Sequence, residues 1–136
     1  MENSTTSTLT LALMSPPYEA ERTTTAFRLM DAALRRGHTL KVFAYEGAVS
    51  LSMAEQAPHP NPVKGTSVEE EAHPTTKEWV GELFRCYPDQ LEWVNCGLCV
   101  DERGATNSID GPRRGGPKDF AAMVLGTDNT VIIPTK

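Results

Sequence analysis

The sequence predicts an α/β fold on a parallel sheet, and three observations carry that prediction. Short apolar runs alternate with segments whose apolar residues recur at helical spacing. The first strand–helix–strand cycle closes within about forty residues, the length of a βαβ unit. A chain of 136 residues and 14.9 kDa fits one domain with a single core made from a central sheet and a few helices. Its 39% hydrophobic and 23% charged residues set it among globular rather than disordered chains. The expected architecture is one domain over residues 1–136, three layers deep, with about five strands and helices on both faces.

The elements follow in order. Met1 to Thr8 is polar and reads as a flexible tail, and Leu9 to Met14 is a buried strand that runs into the Ser15-Pro16-Pro17 loop. Between Ala20 and Arg36 the residues Ala26, Phe27, Leu29, Met30, Ala33 and Leu34 recur at helical spacing, and Gly37 stops the helix. Leu40 to Tyr45 is nearly continuous in apolar and aromatic residues, as a strand buried on both faces requires. After Glu46-Gly47, a short helix carrying Val49, Leu51, Met53 and Ala54 is expected to end near Gln56. Ala57 to Thr76 holds four prolines and the run Glu69-Glu70-Glu71 without an apolar period, so 57–76 reads as a proline-rich solvated insertion that leaves His59 and His73 as exposed loop residues. Thr75 or Thr76 caps a third helix through Tyr87, with Trp79, Val80, Leu83 and Phe84 on its apolar face and Cys86 packed in its last turn. Leu91 to Val94 forms a third strand that delivers Cys96 at or just past its end. A helical turn over Asp101 to Gly104, a loop from Ala105 to Gly116, a helix from Pro117 to Leu125 and a strand from Thr130 to Ile133 complete the chain.

Charge and composition exclude several functions. A net charge of −5 with no basic stripe argues against nucleic-acid binding, which draws its affinity from clustered Lys and Arg. Leu9 to Met14 is too short for a membrane span or a signal-peptide core, and the residues before it lack a cationic segment, so a cytoplasmic location is expected. In that reducing compartment the three cysteines, Cys86, Cys96 and Cys99, are packing residues, metal ligands or reactive thiols before they are structural disulfides.

Cys96 sits where active sites of parallel sheets lie, outside the carboxyl ends of the strands. If the chain turns helical at Gly97, unpaired N–H groups and the helix dipole favour a thiolate at Cys96, and Cys99 lies three residues on along the same face. Asp101 and Glu102 oppose that effect, whereas Arg103, Arg113 and Arg114 favour a thiolate or an anionic sulfur donor if they approach. Four readings of the pair compete. Both cysteines pack as small hydrophobes; they belong to a zinc site, for which one C-x-x-C and scattered histidines offer too few ligands; they form a dithiol redox pair, although that motif is expected after the first strand; or one is a nucleophile that carries sulfur as a persulfide. The last needs an accessible thiolate and no metal or organic cofactor.

The stretch Cys96-Gly97-Leu98-Cys99-Val100-Asp101-Glu102-Arg103-Gly104 resembles the active-site segment of the DsrE/DsrF-like (DsrE/TusD/YchN) sulfur-relay family. The Ser15-Pro16-Pro17-Tyr18 loop, the Leu34-Arg35-Arg36-Gly37-His38 corner, the Val42 to Val49 segment and the arm from Asp110-Gly111 to Ile133 occur in the family's order. The resemblance spans nearly the whole chain except the tail and the insertion. It implies the DsrE-like fold, with Cys96 as the sulfur-accepting cysteine of a sulfurtransferase-like persulfide carrier. Cys99 matches a second cysteine that only some members carry, and it either resolves a persulfide, relays sulfur or packs. Glu46-Gly47 stands where members commonly carry Asp-Gly, keeping an acid and a turn glycine. The family also implies a homo-oligomer, trimer or hexamer, and a protein that gives or takes sulfur. A non-catalytic binding or redox-sensing module and a Cys96/Cys99 dithiol protein remain alternatives on the same fold.

Overall fold

The computed structural model describes residues 5–135, so Met1 to Ser4 of the expected tail lie outside the described residues. Five strands, β1 (Thr8–Leu13), β2 (Thr39–Ala44), β3 (Leu91–Cys96), β4 (Arg113–Gly115) and β5 (Asn129–Ile133), form one sheet in the order β4-β3-β2-β1-β5. Every neighbouring pair is parallel, with Leu11 opposite Val42, Val42 opposite Trp93 and Cys96 opposite Gly115. The helices are α1 (Glu21–Arg35), α2 (Thr76–Cys86), α3 (Gly97–Arg103) and α4 (Pro117–Gly126), and a 3-10 helix occupies Glu46–Ser52. Thr8 opens β1, and Ser7 before it is already tied to the sheet, its carbonyl accepting from Thr39 N at 3.0 Å.

Local chemistry places the ends of these elements. Gly37, at φ +89°, closes α1 while its N–H and that of His38 bond to the Leu34 and Ala33 carbonyls, satisfying the last turn. Thr75 caps α2, its Oγ1 accepting from Glu78 N at 3.4 Å. Pro117 starts α4, and Asp119 reaches back to accept from Gly116 N at 2.8 Å.

Alternation along the central strands builds two cores. Leu11, Leu13, Leu40, Val42 and Trp93 pack against Phe27, Met30 and Leu34 of α1 and Val80 and Leu83 of α2. Phe43, Val94 and Cys96 pack on the opposite face against Val100 of α3 and Met123 of α4. β1, β2 and β3 are thus covered on both sides, whereas four of the five residues of β5 are exposed.

Four local expectations change. The Ala105 to Gly116 loop contains β4, an edge strand of three residues without an apolar side chain, which leaves no pattern to read. The helix after β2 is 3-10 and ends at Ser52 rather than near Gln56, because Met53 turns extended and bridges Ser108. Cys86 is exposed rather than packed, the last turn of α2 setting it beside Glu82 and Arg85 at the surface. Within the insertion, Asn61 and Thr66 pair across a tight turn, and Thr75 and Thr76 at its end are buried, Thr76 donating to the Leu51 carbonyl at 2.8 Å.

Candidate functional site

The carboxyl ends of four strands converge around the cysteine pair. β3 ends on Cys96, which is both its last residue and the N-cap of α3, with φ −64° and ψ 118°. α3 runs two turns and stops at Gly104, whose φ of +63° is the left-handed conformation a helix end favours. From β2 comes Glu46, itself at φ +52°, followed by Gly47, where an added Cβ would stand 2.9 Å from Pro16 beyond β1. β4 brings Gly115 opposite Cys96 and, one residue earlier, Arg114.

Cys96 is 8% exposed, and Cys99 is half-buried. Phe43, Val94, Val100 and Met123 pack with Cys96, and Tyr45, Met53 and Phe120 line the same cluster beside Cys99. Phe120 stacks on Phe43 and on Tyr45, with Phe43 and Phe120 ring centres 5.0 Å apart, and Tyr45 is tilted against Phe43. One polar group reaches into this apolar wall: the backbone N–H of Glu46 donates to Cys99 Sγ at 3.0 Å. Burial pushes the Cys99 thiol above its ordinary pKa; the Glu46 N–H pulls the other way, the neighbouring Cys96 thiol adds to the rise and the Arg103 charge opposes it.

The arginines separate into different roles. Arg114 lies across Gly97, where an added Cβ would fall 2.7 Å from its Nε. Asp101 holds that guanidinium in a two-pronged pair at 2.9 and 2.6 Å, and Arg114 keeps the Asp101 carboxyl below the usual carboxylate range. Asp101, expected to oppose a thiolate, is therefore already engaged by a cation. Arg113 turns to Glu92 at 2.9 Å and Asp119 at 3.2 Å. Arg103 is exposed beside Glu102, 3.6 Å away. Cys96, Cys99, Glu46, Gly47, Arg103 and Arg114 thus lie together, and Arg113 belongs to a surface ion pair.

Sequence reasoning missed the donor, because a backbone N–H has no residue signature; the positive φ at Glu46 is equally silent. It also missed Asp101 as the anchor of Arg114, since the two are thirteen residues apart and β4 was unrecognised. A buried polar joint supports the site from below. Trp93 Nε1 donates to Asn95 Oδ1 at 3.0 Å, Asn95 Nδ2 to Ser52 Oγ at 3.1 Å, and Ser108 Oγ to Ser52 Oγ at 3.1 Å. Among the described residues no group of three or more His, Cys, Asp or Glu is placed to hold a metal ion, and no helix is long and apolar enough to cross a membrane.

Comparison with known proteins bears on the family and the fold. The family model described as DsrE/DsrF-like family matches residues 8–132. The uncharacterized protein MK0008 of Methanopyrus kandleri is 26% identical over 125 residues, which is 90% of this chain and 91% of that protein. The crystal structure of the YchN protein from E. coli superposes with a TM-score of 0.73 over 94% of this chain and 99% of that one, at 20% identity, a likeness of fold.

Proposed function

We propose, from the premise that this chain belongs to the DsrE/DsrF-like family, that it carries sulfur as a persulfide on Cys96. The observation that supports the reading most directly is the position of Cys96, at the last residue of β3 and directly before α3, with Arg114 over the adjoining glycine. Sulfur transfer is attack by one thiolate on a polarised sulfur. A nearby guanidinium favours the anion that attacks and the anionic persulfide that results. Asp101 fixes that guanidinium, so that Arg114 and Asp101 act as positioning residues. Cys99 stands beside Cys96 as an auxiliary thiol.

Incubating the protein with inorganic polysulfide and weighing it intact tests this reading. A gain of one sulfur atom that persists in Cys99→Ser and is lost in Cys96→Ser is the expected result; no adduct on either thiol overturns it. A dithiol protein cycling between Cys96 and Cys99 is the second reading, favoured by the placement of the two thiols three residues apart at the start of α3. It requires Cys99, so full activity in Cys99→Ser removes it. The proposal extends to a sulfur donor or acceptor protein as partner, a homo-oligomer of trimer or hexamer type, and a cytoplasmic location, which suits three free thiols.

A further inference from the structure

The geometry points to Cys99 as a second sulfur station: the outer sulfur of a Cys96 persulfide passes to Cys99 beneath the Glu46 N–H, and partner molecules exchange sulfur there. This inference rests on the carrier reading of Cys96 and adds a residue, a direction and a place of exchange. Two observations carry it. Cys96 is 8% exposed while Cys99 is only half-buried, so a macromolecular acceptor meets Cys99 first. The Glu46 N–H is aimed at Cys99 Sγ from 3.0 Å, in a turn where Glu46 is left-handed and Gly47 approaches Pro16 closely. A cysteine that merely packs has no use for such a donor, whereas a sulfur that becomes anionic does.

The step balances without an external oxidant or reductant. The Cys99 thiolate attacks the outer sulfur of Cys96–S–S⁻; the bond between the two persulfide sulfurs breaks, and Cys96 leaves as a thiolate. The new persulfide forms on Cys99, the proton given up by Cys99 passes to Cys96, and the transferred sulfur keeps its oxidation state.

A time course on the wild-type protein tests it. The chain is exposed briefly to inorganic polysulfide, freed of excess, quenched at intervals with iodoacetamide, and the site of each alkylated persulfide is read by fragmentation of the Cys96–Cys99 peptide. Sulfur is expected first on Cys96 and later on Cys99, with Cys99 left unlabelled in Cys96→Ser. In Cys99→Ser it stays on Cys96. Sulfur that never leaves Cys96 in the wild type overturns the relay while the carrier stands. Release of sulfide with formation of a Cys96–Cys99 disulfide overturns it too, as does labelling of Cys99 in Cys96→Ser. Failure of both thiols to take up sulfur is a different result, and removes the carrier reading itself.

Discussion

Cys99 illustrates how one side chain's behaviour is set by opposing neighbours. Burial raises its pKa, the Glu46 N–H and the Arg103 charge lower it, and the net direction is upward. The protonated form is thus favoured in the folded chain, and the stability this contributes is fully present below the thiol's unfolded pKa and lost as pH rises through the folded one. Alkylation of Cys99 by iodoacetamide is expected to rise with pH through a midpoint above that of an unperturbed cysteine, about 8.5. Arg103→Gln moves the midpoint higher and Cys96→Ser moves it lower; a wild-type midpoint at or below the free-cysteine value contradicts the assignment. Two glycines give a paired expectation. At Gly111, φ is +117° and an added Cβ would meet the Phe84 ring at 2.7 Å, so Gly111→Ala must strain the backbone and displace a ring, at about 2–4 kcal/mol. At Gly97 the Cβ meets only the exposed end of Arg114, so Gly97→Ala costs less than about 1 kcal/mol while pushing the guanidinium away from Gly97. Urea denaturation separates the two, and comparable losses in both variants contradict the distinction.

Among elements, the decisive joint is the one between β3, the Glu46–Ser52 helix and the segment that leads into β4. Ser52 is fully buried and takes hydrogen bonds from Asn95 and Ser108, while its carbonyl accepts from Ile109 N at 2.9 Å. Ser52→Ala strands the Asn95 amide inside the protein, a loss of about 1–3 kcal/mol. A midpoint shift in urea with unchanged slope is the expected signature, and a variant as stable as the wild type shows the joint to be dispensable. The same joint explains what was legible beforehand. β1, β2, β3 and β5, with α1, α2 and α4, announce themselves through apolar runs, helical spacing, Gly37, Thr75 and Pro117, because burial and capping leave marks on residue type. β4 does not, since Arg113-Arg114-Gly115 pairs through backbone groups alone and exposes two charges. Its absence from the sequence reading also hid the Arg114–Asp101 pair. Cys96 and Cys99 were legible from their spacing at a strand end, whereas the Glu46 N–H became visible only when β2 and β3 were set side by side. Cys86 was misplaced because a helix's last turn can carry an apolar residue without burying it.

At the scale of the whole molecule, the sheet treats its two edges differently. β4 is guarded by Arg113 and Arg114, charges that discourage pairing with another strand. β5 has no such guard: its side chains read Asn-Thr-Val-Ile-Ile, with Val131 37% and Ile132 52% exposed, and α4 beside it leaves Leu125 87% exposed. An unguarded apolar edge on a chain of net charge −5 is a surface that a further copy of the same chain can cover, since apolar burial there must outweigh like-charge repulsion that salt screens. The proposed homo-oligomer is therefore expected to bury the β5 edge. Sedimentation or light scattering of the wild type should give a mass of several chains, and Ile132→Lys should shift it toward the monomer. Because Ile132 is already exposed within one chain, the substitution should leave the fold intact, with thermal unfolding of the single chain changed by about 0.5 kcal/mol or less. Higher salt should strengthen the wild-type assembly, as screening relieves repulsion between acidic subunits while leaving apolar burial in place. A wild-type chain that stays monomeric at every concentration contradicts the assembly, and an assembly indifferent to Ile132→Lys moves the interface to another face.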